Sequence, residues 1–388
     1  MPKVARIVRG FTAMAAGLML PGCAALEEGA AQGSARPDVV GSRKVIALVP
    51  DAQSAAQMRK AAQSTGYQQL DVTRLDGLDL TMLTYRMPDG VTGPQAITAL
   101  EAAVPTSTVG INHAYRLQQQ SAAAQALDYA DTMMRWSEGG CRARVPIGVI
   151  DTAIDRTSPG LAGAQVVTKS FFDGPSADVT HGTDVATVLA DPDRLNGVRI
   201  YGANVFGKPE AADLVAGADA LVRALDWLAD ENVRLVNLAL AGPYNKLLNL
   251  AVERAAARGL ILVAAVGNDG PNVDPLYPAG FEQVIAVTAV DVDSRIYRNA
   301  VRGPHVDVAA PGVDVLVPTA GRMRFVTGTS IATPFVTARL AADPAIVAAR
   351  DVSEVRKRLA QTSEELGPAG RDPMFGFGLA LAKDICGE

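Results

Sequence analysis

The sequence is poor in the residues that usually bind metals. Of its 388 residues only three are cysteine and three are histidine. There is no Cys-x-x-Cys pair, and so few histidines argue against a zinc site built on imidazole. No loop rich in Asp and Asn indicates a calcium site either. We therefore expect neither a metal nor a cofactor.

Positive charge and long hydrophobic runs are also scarce. The chain has 36 Lys and Arg against 41 Asp and Glu, and its formal net charge of −5 argues against nucleic acid as a partner. The remaining composition, 48% hydrophobic and 20% charged, is that of a globular protein and excludes a disordered or multi-span membrane chain. The length predicts about two to three domains.

The N-terminus has the pattern of an export signal. Three basic residues precede an apolar stretch at 11–20, which is too short to span a bilayer but is typical of a signal peptide. The stretch ends in Leu20-Pro21-Gly22-Cys23, which resembles the bacterial lipobox. We predict a lipoprotein signal peptide at 1–22, lipid on Cys23 and a location at the bacterial cell envelope, facing the periplasm or the exterior. An ordinary signal peptide with an incidental cysteine is the alternative.

Two further segments precede the largest part of the chain. Residues 23–42 lack hydrophobic periodicity and are predicted to form a flexible tether. Residues 43–116 show strand and helix patterns in the order β-α-β-β-α-β, which predicts a small ferredoxin-like α+β domain. The predicted strands are 44–49, 69–73, 80–85 and 107–112, and the predicted helices are 52–64 and 94–103.

The last domain, 117–388, alternates apolar strands with helices. The predicted strands include 146–150, 235–240 and 260–265, and the predicted helices include 129–136, 211–229 and 246–258. Continuous apolar strands are typical of parallel strands buried on both faces, so we predict an α/β fold with a doubly wound, mostly parallel sheet flanked by helices. Ligands of such sheets bind beyond the carboxyl ends of the strands.

Polar residues with distinctive flanks follow these strands. Asp151 follows the strand at 146–150, His181 opens His-Gly-Thr-Asp, Asn268 ends Ala-Val-Gly-Asn, and Ser330 lies in Gly-Thr-Ser-Ile-Ala-Thr-Pro. Taken singly, each could cap a turn or a helix. Together, in this order, the motifs resemble the subtilisin-like serine proteases (peptidase S8), and the resemblance runs from about 117 to 385.

The resemblance implies a set of roles for these residues. Asp151, His181 and Ser330 would form the catalytic triad, and Asn268 would donate to the oxyanion. The substrate-binding residues would be Leu238, Ala239, Leu240, Ala241, Gly242, Ala264, Ala265, Val266 and Gly267. Elementary chemistry agrees, because a serine hydroxyl needs a nearby base and a carboxylate that orients that base.

The resemblance extends to the domain at 43–116. Its position resembles that of the inhibitor I9-like propeptide of this family, with Tyr115-Arg116-Leu117 as the tail in the cleft; an unrelated small domain is the alternative. The chain would then be a serine endopeptidase made as a zymogen. Its partners would be a peptide or protein substrate, its own N-terminal domain and, through Cys23, a membrane.

Some positions depart from the family pattern. Asp184 and Phe335 stand where the family usually has His, and Ala153 and Ala338 stand where it usually has Gly. Asp184 adds a negative charge one turn from His181, which is expected to shift activity to higher pH. These departures motivate an alternative function, a non-catalytic binder of peptides. An esterase of the α/β-hydrolase type is excluded because it needs the order Ser, Asp, His.

The two remaining cysteines, Cys141 and Cys386, can pair. Export places the chain in an oxidising compartment, where a bridge between them would stabilise the fold. Two free thiols are the alternative.

Overall fold

The described part of the chain contains two large sheets of different kinds. The structure is a computed structural model that describes residues 39–41, 43–117, 120–121, 129–172, 178–207, 215–319 and 322–386. The predicted signal peptide and most of the predicted tether, including Cys23, lie outside these residues.

The first sheet is antiparallel and is built by the N-terminal segment. Its elements are β1 (Lys44–Val49), α1 (Ala52–Ser64), β2 (Gln68–Leu75), β3 (Leu80–Arg86), α2 (Gly93–Ala103) and β4 (Thr108–Ile111). The strand order β2-β3-β1-β4 is that of the ferredoxin-like arrangement. The side chain of Asp51 caps α1 by accepting from the Ser54 N–H at 2.7 Å, and a Thr92–Gln95 capping box begins α2.

The remaining elements build the larger part of the molecule. The strands are β5 (Ala114–Leu117), β6 (Gln120–Ser121), β7 (Cys141–Arg142), β8 (Ile147–Asp151), β9 (Gln165–Ser170), β10 (Leu195–Asn196), β11 (Arg199–Asn204), β12 (Val215–Gly217), β13 (Leu235–Leu238), β14 (Leu240–Ala241), β15 (Ile261–Ala265), β16 (Val284–Val290), β17 (Val308–Pro311), β18 (Val315–Thr319), β19 (Arg322–Thr327), β20 (Ser363–Glu364) and β21 (Leu379–Ala380). The helices are α3 (Ala130–Met134), α4 (Thr180–Leu189), α5 (Ala218–Asp230), α6 (Lys246–Ala257), α7 (Thr329–Ala342), α8 (Pro344–Val347) and α9 (Val352–Thr362).

The second sheet is mostly parallel. Within the described residues nine strands pair in the order β20-β21-β17-β16-β15-β13-β8-β11-β9, and only β20 with β21 is antiparallel. Every residue of β8, β13, β15 and β16 is buried, as continuous apolar runs predict. The predicted fold class is confirmed: an α/β domain with a large, mostly parallel sheet, preceded by a ferredoxin-like unit.

Helices cover this sheet. All 14 residues of α7 are buried, and α7 packs against β13, β15, β16 and β17. Helix α4 packs against α7 and β8, whereas α5 packs against β8 and β11. These contacts bring the N-terminal ends of α4 and α7 to the carboxyl end of β8.

Three predicted boundaries are wrong. The helix expected from 211 begins at Ala218, because Val215–Gly217 is a strand. The strand expected at 235–240 breaks at Ala239, and Leu240–Ala241 joins another sheet. The helix expected at 129–136 is only Ala130–Met134, ended by Arg135 in a left-handed conformation (φ 59°).

Two small sheets complete the fold. One has the order β12-β5-β14 and the other the order β18-β19-β6. In the part of the chain that the structure describes, no helix is long and apolar enough to cross a membrane.

Candidate functional site

Asp151 is the last residue of β8, a strand held between β13 and β11. Its side chain is fully buried, and its Oδ1 accepts a hydrogen bond from the Thr152 N–H at 2.6 Å. The sheet therefore presents a desolvated carboxylate at its carboxyl end, where ligands of α/β folds bind.

His181 lies in the first turn of α4. Its Nδ1 is 2.7 Å from Oδ1 of Asp151, so the carboxylate accepts the Nδ1–H and leaves Nε2 as the acceptor nitrogen. Gly182 makes this approach possible, because a Cβ on it would lie 2.4 Å from the carbonyl oxygen of Thr152. The Gly182 N–H also donates to Oγ1 of Thr152 at 2.8 Å.

Ser330 lies in the first turn of α7. Its Oγ is 3.2 Å from Nε2 of His181, so three side chains that are distant in the sequence form one continuous hydrogen-bonded line. The strand β19 leads into this turn through Gly328, whose N–H donates to the Gly312 carbonyl at 2.8 Å. The line can move a proton from a hydroxyl to an imidazole while a buried carboxylate stabilises the charge.

Asn268 follows β15 and contacts the residue before Ser330. Its Oδ1 accepts from the N–H of Thr329 at 3.1 Å and from its hydroxyl at 2.9 Å. These contacts fix which end of the amide is Oδ1 and which is the donor Nδ2. The structure thus brings Asn268 to the same turn as Ser330.

A segment of the chain itself, β5, pairs with a strand of the predicted substrate-binding set on one side and with a strand outside that set on the other. Strand β5 is antiparallel to β14, with Leu240 opposite Leu117 and Ala241 opposite Arg116. On its other side β5 is antiparallel to β12, with Ala216 opposite Tyr115. The predicted set at 238–242 therefore supplies one edge of a three-stranded sheet, and 264–267 lies at the buried end of β15 beside it.

The strand β12, which pairs with β5, is an element that sequence reasoning missed. A three-residue strand gives too short a pattern to recognise, and the adjacent alanines favoured a longer helix. The usable signal was Gly217, since glycine inside a helical pattern often marks a boundary.

Tyr115 is the bulkiest buried side chain of β5. Its ring is fully buried, and its hydroxyl donates to the carbonyl of Pro243 at 3.2 Å. A Cβ on Gly242 would lie 2.6 Å from the Tyr115 ring, so glycine is needed there for the ring to enter. Burial raises the pKa of the Tyr115 hydroxyl well above its usual value, so the side chain stays neutral.

The departures from the family pattern have local partners. Asp184 is fully buried and forms an ion pair with Arg324 of β19, which opposes the effect of its charge on His181. Phe335 is buried in α7 with the guanidinium of Arg194 4.5 Å from its ring centre. Ala338 is buried in α7, and Ala153 is half-buried after Asp151.

The two other cysteines are joined. Cys141 of β7 and Cys386 form a disulfide with their Cα atoms 5.0 Å apart, across a sequence separation of 245. Cys23 lies outside the described residues. Within the described ranges, no group of three or more His, Cys, Asp or Glu side chains could hold a metal ion.

Comparisons with known proteins identify the family of this chain. The profile of the Subtilase family (peptidase S8) matches residues 142–378. Minor extracellular protease Epr from Bacillus subtilis (strain 168) is 31% identical over 266 residues, which are 64% of this chain and 39% of that protein. Thermophilic serine proteinase from Bacillus sp. (strain AK1) is 34% identical over 64% of this chain and 62% of its own. The chain thus spans less than two thirds of the length of both relatives.

Two further comparisons have higher coverage, one of the relative's length and the other of this chain. Subtilisin DY from Bacillus licheniformis is 31% identical over 60% of this chain and 88% of its own length. Fervidolysin from Fervidobacterium pennivorans, described as a keratinolytic enzyme related to subtilisin, has a solved structure that matches with a TM-score of 0.71 at 21% identity. The match covers 88% of this chain and 60% of that one, and it shows that the two share a fold.

Proposed function

The chain belongs to the subtilase family, and from that membership we propose that it is a serine endopeptidase. The observation that carries the proposal is the line from Asp151 Oδ1 through His181 to Ser330 Oγ, with separations of 2.7 and 3.2 Å. A histidine with one nitrogen on a buried carboxylate and the other on a hydroxyl is the arrangement that activates serine as a nucleophile.

In the proposed mechanism His181 removes the proton from Ser330 while Oγ attacks the carbonyl carbon of the peptide bond. Asp151 stabilises the imidazolium that forms, because its carboxylate accepts from Nδ1–H. The negative charge that develops on the carbonyl oxygen would accept from the Ser330 N–H, at the start of α7, and from Nδ2 of Asn268. His181 then protonates the leaving amine, and a water molecule hydrolyses the acyl-enzyme by the same steps in reverse order.

The substrate is proposed to bind as β5 does. A peptide laid between β12 and β14 would exchange main-chain hydrogen bonds with both edges, which is how extended peptides add to sheets. Side chains on it would meet the small residues Ala241 and Gly242, where Tyr115 is seated in this structure.

The zymogen proposal rests on the path of the chain from β5 to β6. Strand β5 is paired with β12 on one side and with β14 on the other. Strand β6 pairs with β19, with Gln120 opposite Thr327, and Thr327 lies three residues before Ser330. We infer that the nucleophile acts on the chain between these two strand pairings. We expect the chain to cut itself at a bond between Leu117 and Gln120, and the N-terminal domain to inhibit until it is released.

Mass analysis of the purified chain tests both parts of this proposal. The wild-type protein is expected to split between Leu117 and Gln120, whereas Ser330→Ala is expected to stay whole. Ser353→Ala, an exposed serine at the start of α9, is the matched control and should split like the wild type. A split in Ser330→Ala would show that another protease cuts the chain, and a stable wild-type chain would contradict self-processing.

The family departures support a second candidate, a subtilase-like protein that binds peptides without cutting them. Phe335 and Asp184 lie in the helices that carry Ser330 and His181. A fluorophosphonate probe separates the candidates, because it reacts only with an activated serine. Absence of labelling after removal of residues 43–116 by an added protease would favour the binder.

We also propose that the chain is anchored to the bacterial cell envelope by lipid on Cys23. The support is the sequence Leu20-Pro21-Gly22-Cys23 after a basic and apolar start. In a bacterial host given radiolabelled palmitate, the wild-type chain should incorporate label and enter the detergent phase. Cys23→Ser should do neither, and Cys141→Ser is the matched cysteine control. Equal labelling of Cys23→Ser would contradict the anchor.

A further inference from the structure

Asp184 is a buried charge close to the candidate base. It lies three residues after His181 on α4, so both side chains occupy neighbouring positions of one helix surface. The carboxylate is fully buried and forms an ion pair with Arg324 of β19. A carboxylate in such a place is costly unless a cation stays beside it, so Arg324 is held where it is.

Arg324 also influences the start of the same helix. Asp178 accepts a hydrogen bond from the Thr180 N–H at 2.7 Å, just before α4 begins. Hydrogen bonds from Thr180 and, to a smaller extent, the charge of Arg324 lower the pKa of Asp178. The guanidinium is thus near carboxylates on both sides of His181 in the sequence. The ion pair of Arg324 with Asp184 therefore links β19 to α4.

The strand that carries Arg324 has a second role in the site. β19 runs from Arg322 to Thr327 and leads directly into the turn of Ser330. Its last two residues, Val326 and Thr327, pair with Ser121 and Gln120 of β6. In the proposed reaction, β6 stands for the part of a substrate that follows the cut bond. The other strand of the hairpin, β18, packs against α4.

We propose that the Asp184–Arg324 ion pair positions the leaving side of the substrate against the helix of the base. By holding β19 to α4, the pair sets the distance between His181 and the amine that must receive its proton. Arg324 acts through β19 and is a positioning residue. The substrates that benefit are polypeptides that continue beyond the cut bond as far as the positions of Gln120 and Ser121, which is at most four residues when the cut follows Leu117. This inference rests on the proposed endopeptidase function.

Two substrates with the same acyl side distinguish positioning from stability. One ends in p-nitroaniline directly after the cut bond, and the other continues for four residues and reports by release of a quenched fluorophore. Only the longer substrate can pair with β19. We expect Arg324→Gln to lower kcat/KM about tenfold or more on the longer substrate and less than about threefold on the anilide, since misplacing a reacting group is costly.

Companion variants complete the test. Arg324→Lys keeps the cation and should recover most of the lost activity on the longer substrate. The double variant Asp184→Asn with Arg324→Gln should lower kcat/KM on the longer substrate by less than the product of the two single-variant factors. The reason is that removing both charges leaves neither one unpaired. Met323 is an exposed neighbour on β19, so Met323→Gln is the matched control and should leave kcat/KM unchanged on both substrates.

Two outcomes would overturn the inference alone. In the first, Arg324→Gln and Arg324→Lys lower kcat/KM by the same factor on both substrates, which indicates a structural role. In the second, neither variant changes kcat/KM on either substrate. Failure of the proposed function would look different, because the wild-type protein itself would hydrolyse neither substrate.

Discussion

Single residues decide the chemistry of the site because each contributes one atom at one place. Asp151, His181 and Ser330 come from the end of a strand and the starts of two helices. Their order and motifs made them predictable from the sequence, since each motif carries the small residues that let its backbone approach the next. The ion pair of Asp184 with Arg324, 140 residues apart, could not be predicted, because Arg324 lies in no motif that points to Asp184.

The first prediction at this scale concerns the oxyanion. Asn268→Ala removes the proposed Nδ2 donor, and the effect should fall on kcat rather than KM because the charge exists only in the transition state. In subtilisin itself, loss of the corresponding kind of donor lowers kcat by about 10²- to 10³-fold, and we expect a similar loss here.

Steady-state kinetics on a peptide substrate check this expectation. Asn249→Ala is a suitable control, because Asn249 lies on α6 and donates to Glu253 at the surface. A loss below about threefold for Asn268→Ala, with an unchanged thermal midpoint, would remove Asn268 from the mechanism.

Whole elements show where sequence patterns are sufficient and where pairing decides. The strands β8, β13 and β15 are continuous apolar runs, and they were predictable because burial on both faces requires such runs. The break at Ala239 and the strand β12 were not predictable. Both depend on β5, a distant segment whose backbone completes their hydrogen bonds.

The prediction at the scale of elements concerns how β5 is held. In the Ser330→Ala background, Tyr115→Ala should lower the free energy of unfolding by about 3 kcal/mol, because it empties a filled aromatic site. Tyr115→Phe should cost only about 1 kcal/mol, since it loses just the hydrogen bond to Pro243.

Thermal unfolding of the two variants beside their parent provides the measurement. Tyr67→Ala, in the core of the N-terminal unit, controls for loss of an aromatic ring elsewhere. If Tyr115→Ala unfolds at the temperature of its parent, β5 is not seated between β12 and β14 in solution.

In the molecule as a whole, the ferredoxin-like unit contacts the larger α/β part through more than β5. The side chain of Lys246 on α6 forms an ion pair with Glu101 of α2. The loop after β2 packs closely against α5. The Asp226 side chain accepts a hydrogen bond from the Leu78 N–H at 3.0 Å, and a Cβ on Gly77 would lie 2.0 Å from the Asp226 carbonyl oxygen. These contacts hold the two parts together independently of the cleft.

Asp226 makes this contact sensitive to pH. Burial and, next, the charge of Asp230 raise the pKa of Asp226 to about 6, from an ordinary value of 3.8. A raised pKa means that the folded contact favours the protonated form. Its stabilising contribution is therefore complete below pH 3.8 and is lost as the pH rises through about 6.

Asp226→Asn should remove this pH dependence while keeping an oxygen that accepts from Leu78. In the Ser330→Ala background, the variant should match its parent near pH 4 and exceed its thermal midpoint at pH 7. Asp293→Asn, on an exposed turn, is the control. A variant that is less stable than its parent at pH 7 would show that Asp226 is favoured as a carboxylate.

The central claim is that His181 activates Ser330, and mapping of a fluorophosphonate adduct tests it most directly. Each protein, with residues 43–116 removed by an added protease so that the variants are compared in the same state, would be treated with the probe, digested and analysed by mass spectrometry. We predict an adduct on Ser330 in the wild type and its near absence in His181→Ala, with His305→Ala labelled as the wild type is. An equal adduct in His181→Ala, or no adduct on Ser330 in the wild type, would contradict the account.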